Sequence, residues 1–298
     1  MNIIQNKKWF LSFSLILIIL ACTAIFLFGF KAGIDLEGGT LWRLNINEVS
    51  NKSEIIEFFE SDLKREVTIR EISPNTYLLR LGTLSKDEHN EYRVKLLEKY
   101  PSFTELSYET IGPTIGKELR KNAIVAIVLV LIGISLYVAF IFRGVSEPVQ
   151  SWKYGIVTLI TLFHDILIPA GLYSYLGYRL GIQIDTNFIV ALLVIMGFSV
   201  FVTIVVFDRI RESLIRSKKD AFGILVNRSV TETFARSANT SLTLVVVLIA
   251  LLIVGPQSLF YFILTILIGI LAGTYSSIFV ASPLLVLWHN LSLKKANT

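Results

Sequence analysis

His164 and Asp165 stand side by side near the middle of an otherwise apolar run, Tyr154 to Leu176. A charged side chain at the centre of a bilayer costs from about 3 kcal/mol upward, so a carboxyl there is expected to be functional or to anchor a hydrogen bond between helices. Four residues on, Pro169 has no amide hydrogen, and its ring crowds the carbonyl of residue i−4, which belongs to Asp165. A titratable carboxyl and a freed carbonyl therefore coincide, and both need water or a polar neighbour. Neighbours on a helix point about 100° apart, so the two side chains are expected to find separate partners. Two roles stay open, a protonatable site in a proton path and a structural hydrogen bond between helices.

A second polar series runs through Ser229, Thr233, Arg236 or Ser237, Thr240 and Thr243 at steps of three and four, and it must face protein or water. Arg236 sits near the end of an apolar span, where an arginine either snorkels to the headgroups or turns inward as counter-charge to a carboxylate. Gly269, Gly273 and Ser277 repeat every four residues, a spacing that lets another helix backbone approach closely and needs no ligand. The histidines, His89, His164 and His289, lie in different regions, and no zinc-protease, nucleophile-elbow or phosphate-loop motif occurs. Cys22 is the single cysteine. Enzyme activity, a metal centre, an internal disulfide and a cofactor are all unexpected on these grounds.

The elements that carry these groups follow from composition. Of 298 residues 53% are apolar and 17% charged, and the apolar ones gather in long blocks, which excludes a soluble enzyme. Six blocks reach the roughly 20 residues that a bilayer demands. They lie near Trp9 to Phe30, Ala123 to Phe142, Tyr154 to Leu176, Asn187 to Phe207, Ser237 to Val254 and Leu259 to Leu287. The first is read as a retained helix and not as a cleaved signal, because its apolar run continues well past Cys22.

The net charge of +5 is unevenly spread. Residues 31–121 hold 16 acidic and 14 basic side chains, while the rest of the chain holds 14 basic against 7 acidic. With a cytoplasmic amino terminus, the inner segments carry Lys7, Lys8, Arg143, Lys153, Arg209, Arg211, Arg216, Lys218, Lys219, Arg228, Arg236, Lys294 and Lys295. The short outer loops keep only Arg179. This is the positive-inside bias, and it places both termini in the cytoplasm of a plasma-membrane protein. It accounts for the basic excess without a nucleic-acid partner.

Residues 31–122 form the one sizeable polar region. Trp42, Leu44 and Ile46 alternate as a strand, Ile55, Ile56, Phe59 and Leu63 recur at helical spacing, and Val67 with Ile69, then Tyr77, Leu79 and Leu81, alternate again. A helix through Tyr92, Leu96, Leu97 and Tyr100 and a strand near Phe103 to Tyr108 complete a β-α-β-β-α-β order, the split βαβ arrangement of ferredoxin-like domains. The expected fold is thus a polytopic α-helical membrane protein with six transmembrane helices and one α+β extracytoplasmic domain between the first two. Residues 1–30 hold the cytoplasmic end and first span, and 123–290 the other five. A basic amphipathic connector, 208–236, lies between spans four and five, and 291–298 form a tail.

Six segments resemble the SecF family, the smaller of the paired SecD and SecF proteins of the resistance-nodulation-division superfamily. They are Gly33-Ile34-Asp35-Leu36-Glu37-Gly38-Gly39, Glu109 to Gly116, Leu162-Phe163-His164-Asp165, Val205 to Glu212, Thr231 to Ser237 with Thr240-Ser241, and Gly273-Thr274-Tyr275-Ser276-Ser277. The resemblance implies an accessory subunit that uses the proton-motive force to help a Sec channel of the SecYEG type move unfolded polypeptide outward. It implies a SecD-like partner supplying a second six-helix half. It also favours Arg236 turned inward at a proton site with Asp165 and His164, and Gly38, Gly39, Gly112 and Pro113 as hinges of the outer domain.

One departure matters. Where the family reads roughly Gly-Tyr-Ser-Ile-Asn-Asp-Thr, with an aspartate that takes part in proton conduction, this chain has Gly197-Phe198-Ser199-Val200-Phe201-Val202-Thr203. Val202 replaces the carboxylate and cannot pass a proton. Either the partner supplies the missing group, with Asp165 and Arg236 in support, or the protein persists as a non-conducting scaffold.

Overall fold

A computed structural model of the chain describes residues 2–47, 49, 51–144, 149–216 and 220–296. In chain order the first elements are α1 (Lys7–Phe28), α2 (Ile34–Glu37), β1 (Gly39–Asn45), α3 (Lys52–Glu57), β2 (Thr68–Ser73), β3 (Thr76–Leu81), α4 (Lys86–Lys99) and β4 (Thr104–Ile111). Then come α5 (Pro113–Ile141), α6 (Ser151–Leu180), α7 (Thr186–Arg216), α8 (Phe222–Val254), α9 (Phe260–Ser276) and α10 (Ser282–Ala296). The chain divides into two compact units, a smaller one of Ala32–Ile124 with Gln183–Thr186 and a larger one holding the rest.

In the smaller unit the strands form one antiparallel sheet in the order β2-β3-β1-β4. The period-two alternation of β1 and β3 turns Trp42, Leu44 and Leu79 to one face, where Ile55, Phe59 and Leu96 from the helices cover them completely. Trp42 meets Phe59, Phe103 and Tyr108 edge-on, and its indole N–H donates to Glu105 over 3.2 Å, so its one polar atom is satisfied. Asn75 takes a left-handed conformation (φ 62°) in the tight turn between β2 and β3. Ser85 and Glu88 cap α4 reciprocally, each accepting from the other's backbone N–H. The loop ahead of α7 also belongs to this unit, since Gly33 N–H donates to the Ile184 carbonyl (2.8 Å) and Thr186 N–H to Asp35 (3.0 Å).

Six helical segments among the described residues are long and apolar enough to cross a membrane, and apart from the beginnings of α5 and α7 they belong to the larger unit. About half of α6, α7 and the final segment is buried, whereas α1, α5 and α8 turn most of their apolar surface outward, toward lipid or a partner. Phe142, Tyr154 and Phe207 pack ring against ring at one end of this core.

Three boundaries depart from the expected ones. The helix that carries the second expected span starts before residue 123. Pro113, whose fixed φ and missing N–H suit a first helical position, opens α5 directly after Gly112, and Lys117 to Lys121 favour helix. Of the expected connector 208–236, residues 208–216 and 222–236 form no separate element. They are the ends of α7 and α8, which pack together through buried Ile210 and a 2.8 Å bond from Ser229 Oγ to Ser213 Oγ, while Arg209 pairs with Glu232 and Glu212. Lys218 and Lys219 of that stretch lie outside the described residues. The last span is not one regular helix, because a π-turn, Ser277–Ala281, separates α9 from α10. Such turns recur at functional sites.

Candidate functional site

The site is built on α6, where Pro169 leaves the Asp165 carbonyl without its helical partner. Small residues hold α1 close alongside. A Cβ at Gly171 would fall 2.5 Å from the Cα of Ala21, and Ser174 Oγ donates to the carbonyls of Ala24 (3.2 Å) and Gly29 (2.5 Å). Asp165 and His164 face this interior and are essentially inaccessible, at 0% and 1% exposure.

Three neighbours surround the Asp165 carboxyl. Ser199 Oγ from α7 donates to Oδ2 through a short bond, Ser276 Oγ from α9 donates to the same oxygen over 2.8 Å, and His164 Nδ1 lies 2.8 Å from Oδ1. The last contact corrects the expectation that His164 and Asp165 find separate partners. Asp165 Oδ2 is held by the two serines, and the imidazole, with the Tyr275 ring 6.4 Å away, turns to the free Oδ1. Its other nitrogen, Nε2, is buried without a hydrogen-bond partner. Ser14 Oγ of α1 is likewise buried and unpartnered, and the pairing of Ala21 with Gly171 and of Ala24 with Ser174 brings Ser14 level with His164.

A second ring supports the first. Thr203 Oγ1 donates to the Ser199 carbonyl (2.9 Å) and lies 2.8 Å from Ser277 Oγ, and Ser277 donates to the Gly273 carbonyl (2.7 Å). Gly273 and Gly269 let α9 approach α7. A Cβ on Gly273 would sit 3.1 Å from Ser199 Cβ and 3.4 Å from Asp165 Oδ2, and one on Gly269 would sit 2.3 Å from Ile195. The stripe Gly269-Gly273-Ser277 thus lies against the carboxyl it helps to enclose. Val202 is buried on α7 next to Thr203.

Arg236 does not join this cluster. Its side chain is exposed on α8, and the inward face carries Ser229, Thr233, Ser237 and Ser241 instead, while Thr240 and Thr243 are exposed. Four-residue steps keep that face in line, and Arg236 lies one residue, about 100°, away from it. Of the junction residues, Gly38 (φ 86°) and Gly39 (φ 134°) need left-handed conformations and leave no room for a Cβ, which would lie 2.7 Å from Pro113 Cα and 2.9 Å from the Leu81 carbonyl. Gly112 has open space. Among the described residues no group of three His, Cys, Asp or Glu side chains is arranged to hold a metal ion.

The sequence picks out Asp165, His164 and the small-residue stripe, and brings in Ser199 only as a member of the stretch around Val202. It does not single out Ser276 as a carboxyl ligand, although Ser276 adjoins Ser277 of that stripe, nor Ser14 and Gly171, which carry no spacing signal.

Residues 92–291 match the family described as protein export membrane protein SecD/SecF, C-terminal. A protein translocase subunit SecF from Thermobaculum terrenum is 37% identical over 301 residues, covering 97% of this chain and 94% of that protein. A protein translocase subunit SecDF from Thermus thermophilus is 36% identical over 97% of this chain but only 38% of its own length. The crystal structure of the Thermus SecDF superposes with a TM-score of 0.83 at 35% identity, over 97% of this chain and 39% of that one. With six membrane-capable helices, a small four-stranded antiparallel sheet and this similarity along nearly its whole length, the chain belongs to the SecD/SecF family of protein-export membrane proteins.

Proposed function

We propose that the chain is an accessory membrane subunit of the Sec protein-export machinery, working with a SecD-like partner to promote late, proton-motive-force-dependent stages of polypeptide translocation. Similarity to a SecF translocase subunit over nearly its full length supports the Sec role. The match to little more than a third of the Thermus SecDF supports a partner that supplies the remainder. Under this reading the further partners are a SecYEG-type channel, an unfolded exported polypeptide and protons. No nucleic acid, cofactor or enzymatic step takes part. The cation distribution supports cytoplasmic termini in the plasma membrane and an outer position for residues 31–122. The sheet order β2-β3-β1-β4 supports reading that domain as a ferredoxin-like sandwich.

The hydrogen bonding of Asp165 carries the proton part. As a carboxylate the group only accepts, and Ser199, Ser276 and His164 Nδ1–H can all donate to it. As an acid it must donate one bond, and either serine hydroxyl can turn to accept it with no heavy atom moving. One geometry therefore serves both protonation states, and His164 Nε2 offers the next position for a proton. Arg236 enters only through the family's arginine position.

Val202 favours the second reading, a scaffold of the same complex that does not conduct, because α7 supplies no carboxylate beside Thr203. The test is proton flux in vesicles holding the chain with its SecD-like partner and an exported polypeptide. Flux in the native pair that Asp165→Asn abolishes supports the proton reading. A silent native pair that conducts only after Val202→Asp establishes the scaffold.

A further inference from the structure

At the basic end of α6, Lys153 is 8% exposed although it carries an ammonium group. Its Nζ donates to Ser292 Oγ over 2.9 Å, and that hydroxyl has already committed its own proton to the Trp288 carbonyl (3.0 Å). A lysine has three donors, so two remain, and among the described residues no carboxylate pairs with it. A buried cation that these residues leave without a counter-charge is costly unless one reaches it from beyond them.

The surroundings indicate what that is. Lys153 lines an open groove of about 650 Å³ between α6 and α10, whose walls are chiefly apolar and include Leu284, Leu287 and Leu291. Trp152 and Trp288 flank the ammonium at 5.9 and 6.0 Å and meet each other edge-on at 5.3 Å. Paired tryptophans mark the headgroup level of a bilayer, and basic pockets between spanning helices take acidic lipid headgroups. We propose that this groove binds one anionic glycerophospholipid from the leaflet on the basic side of the protein. Its phosphate accepts the two spare Lys153 protons, and an acyl chain lies along the leucines of α10. A zwitterionic lipid brings its own cation and leaves the ammonium less well compensated. This site is independent of the proton reading of Asp165.

Trp152 and Trp288 report directly on the groove. In mixed micelles of the full-length protein, brominated phosphatidylglycerol should quench the fluorescence that Trp152→Phe and Trp288→Phe remove, at a concentration about fivefold lower than brominated phosphatidylcholine. Lys153→Gln should erase that preference and Lys153→Arg keep it, with all variants melting alike. Equal quenching by the two lipids in the native protein overturns the proposal, as does a preference that survives Lys153→Gln. Displacement of the glycerolipid by excess inorganic phosphate would show a free-anion site instead. Loss of quenching when the SecD-like partner is added would show that the groove is a protein interface, and would overturn it too.

Discussion

His164 and Asp165, consecutive in α6, are joined side chain to side chain, with Nδ1 of one 2.8 Å from Oδ1 of the other. When Asp165 is a carboxylate, that contact places the imidazole proton on Nδ1 and leaves Nε2 as the open end. Ser14 lies at the same level on α1 with its hydroxyl also unpartnered. The dyad is thus anchored on the α7 and α9 side by two serines and has unused polar capacity on the α1 side.

Asp165→Asn and Asp165→Ala should separate folding from function. The amide oxygen of asparagine still accepts from Ser199 and Ser276, so this variant is expected to melt near the native temperature while losing proton dependence. Alanine leaves the Ser199 hydroxyl buried and unpaired, at about 1–3 kcal/mol, while Ser276 keeps the Gly273 carbonyl at 3.1 Å. Detergent-solubilised melting curves compare the two, and equal melting would show that the serine bonds contribute no stability.

The glycines that admit α1 and α9 should differ in tolerance. Gly171→Ala meets the backbone of Ala21 and is expected to cost more than Gly273→Ala, whose nearest neighbour is 3.1 Å away. Gly269→Ala meets the flexible Ile195 side chain and should cost about 1–3 kcal/mol, recovered in part by Ile195→Ala. A double-mutant cycle on residues 195 and 269 reads that coupling, and strict additivity would count against the close approach.

At the junction, Gly38→Ala should destabilise the protein by more than about 1 kcal/mol, because φ is 86° and the new Cβ meets Pro113. Gly112→Ala has nothing within 4 Å and should be nearly neutral. The two unfolding midpoints are the measurement, and matching losses would place the constraint elsewhere.

The α4 cap predicts an acid-side sensitivity. The Glu88 carboxyl is held below its ordinary range, first by the Ser85 backbone N–H and hydroxyl, then by Arg65. A depressed folded-state value means that the stabilisation is present above the unfolded value of about 4.3 and is lost as pH falls through the lower folded one. Glu88→Gln should therefore flatten that part of the stability profile, and Ser85→Ala should cost about 1 kcal/mol at neutral pH. Acid titration of unfolding, followed through Trp42, checks both, and an unchanged Glu88→Gln profile would remove Glu88 from the account.

The sequence by itself indicated six helices apolar enough to cross a membrane, the four strands and Asp165 as the candidate group. Apolar runs of membrane length, period-two alternation through Trp42 and Leu79, and a lone carboxyl beside Pro169 are local signals, set by solvent and by backbone geometry. Which side chains face Asp165 is not local. Ser199 and Ser276 reach it only because Gly269 and Gly273 bring α9 against α7. The same packing occupies Oδ2 and leaves Oδ1 to His164, which turns to it against the angular rule for neighbours on a helix. Arg236 went the other way. Its one-residue offset from the Ser229-Thr233-Ser237-Ser241 face leaves it exposed in this chain, and only the rotation of α8 in the folded bundle decides which of two adjacent polar residues points inward.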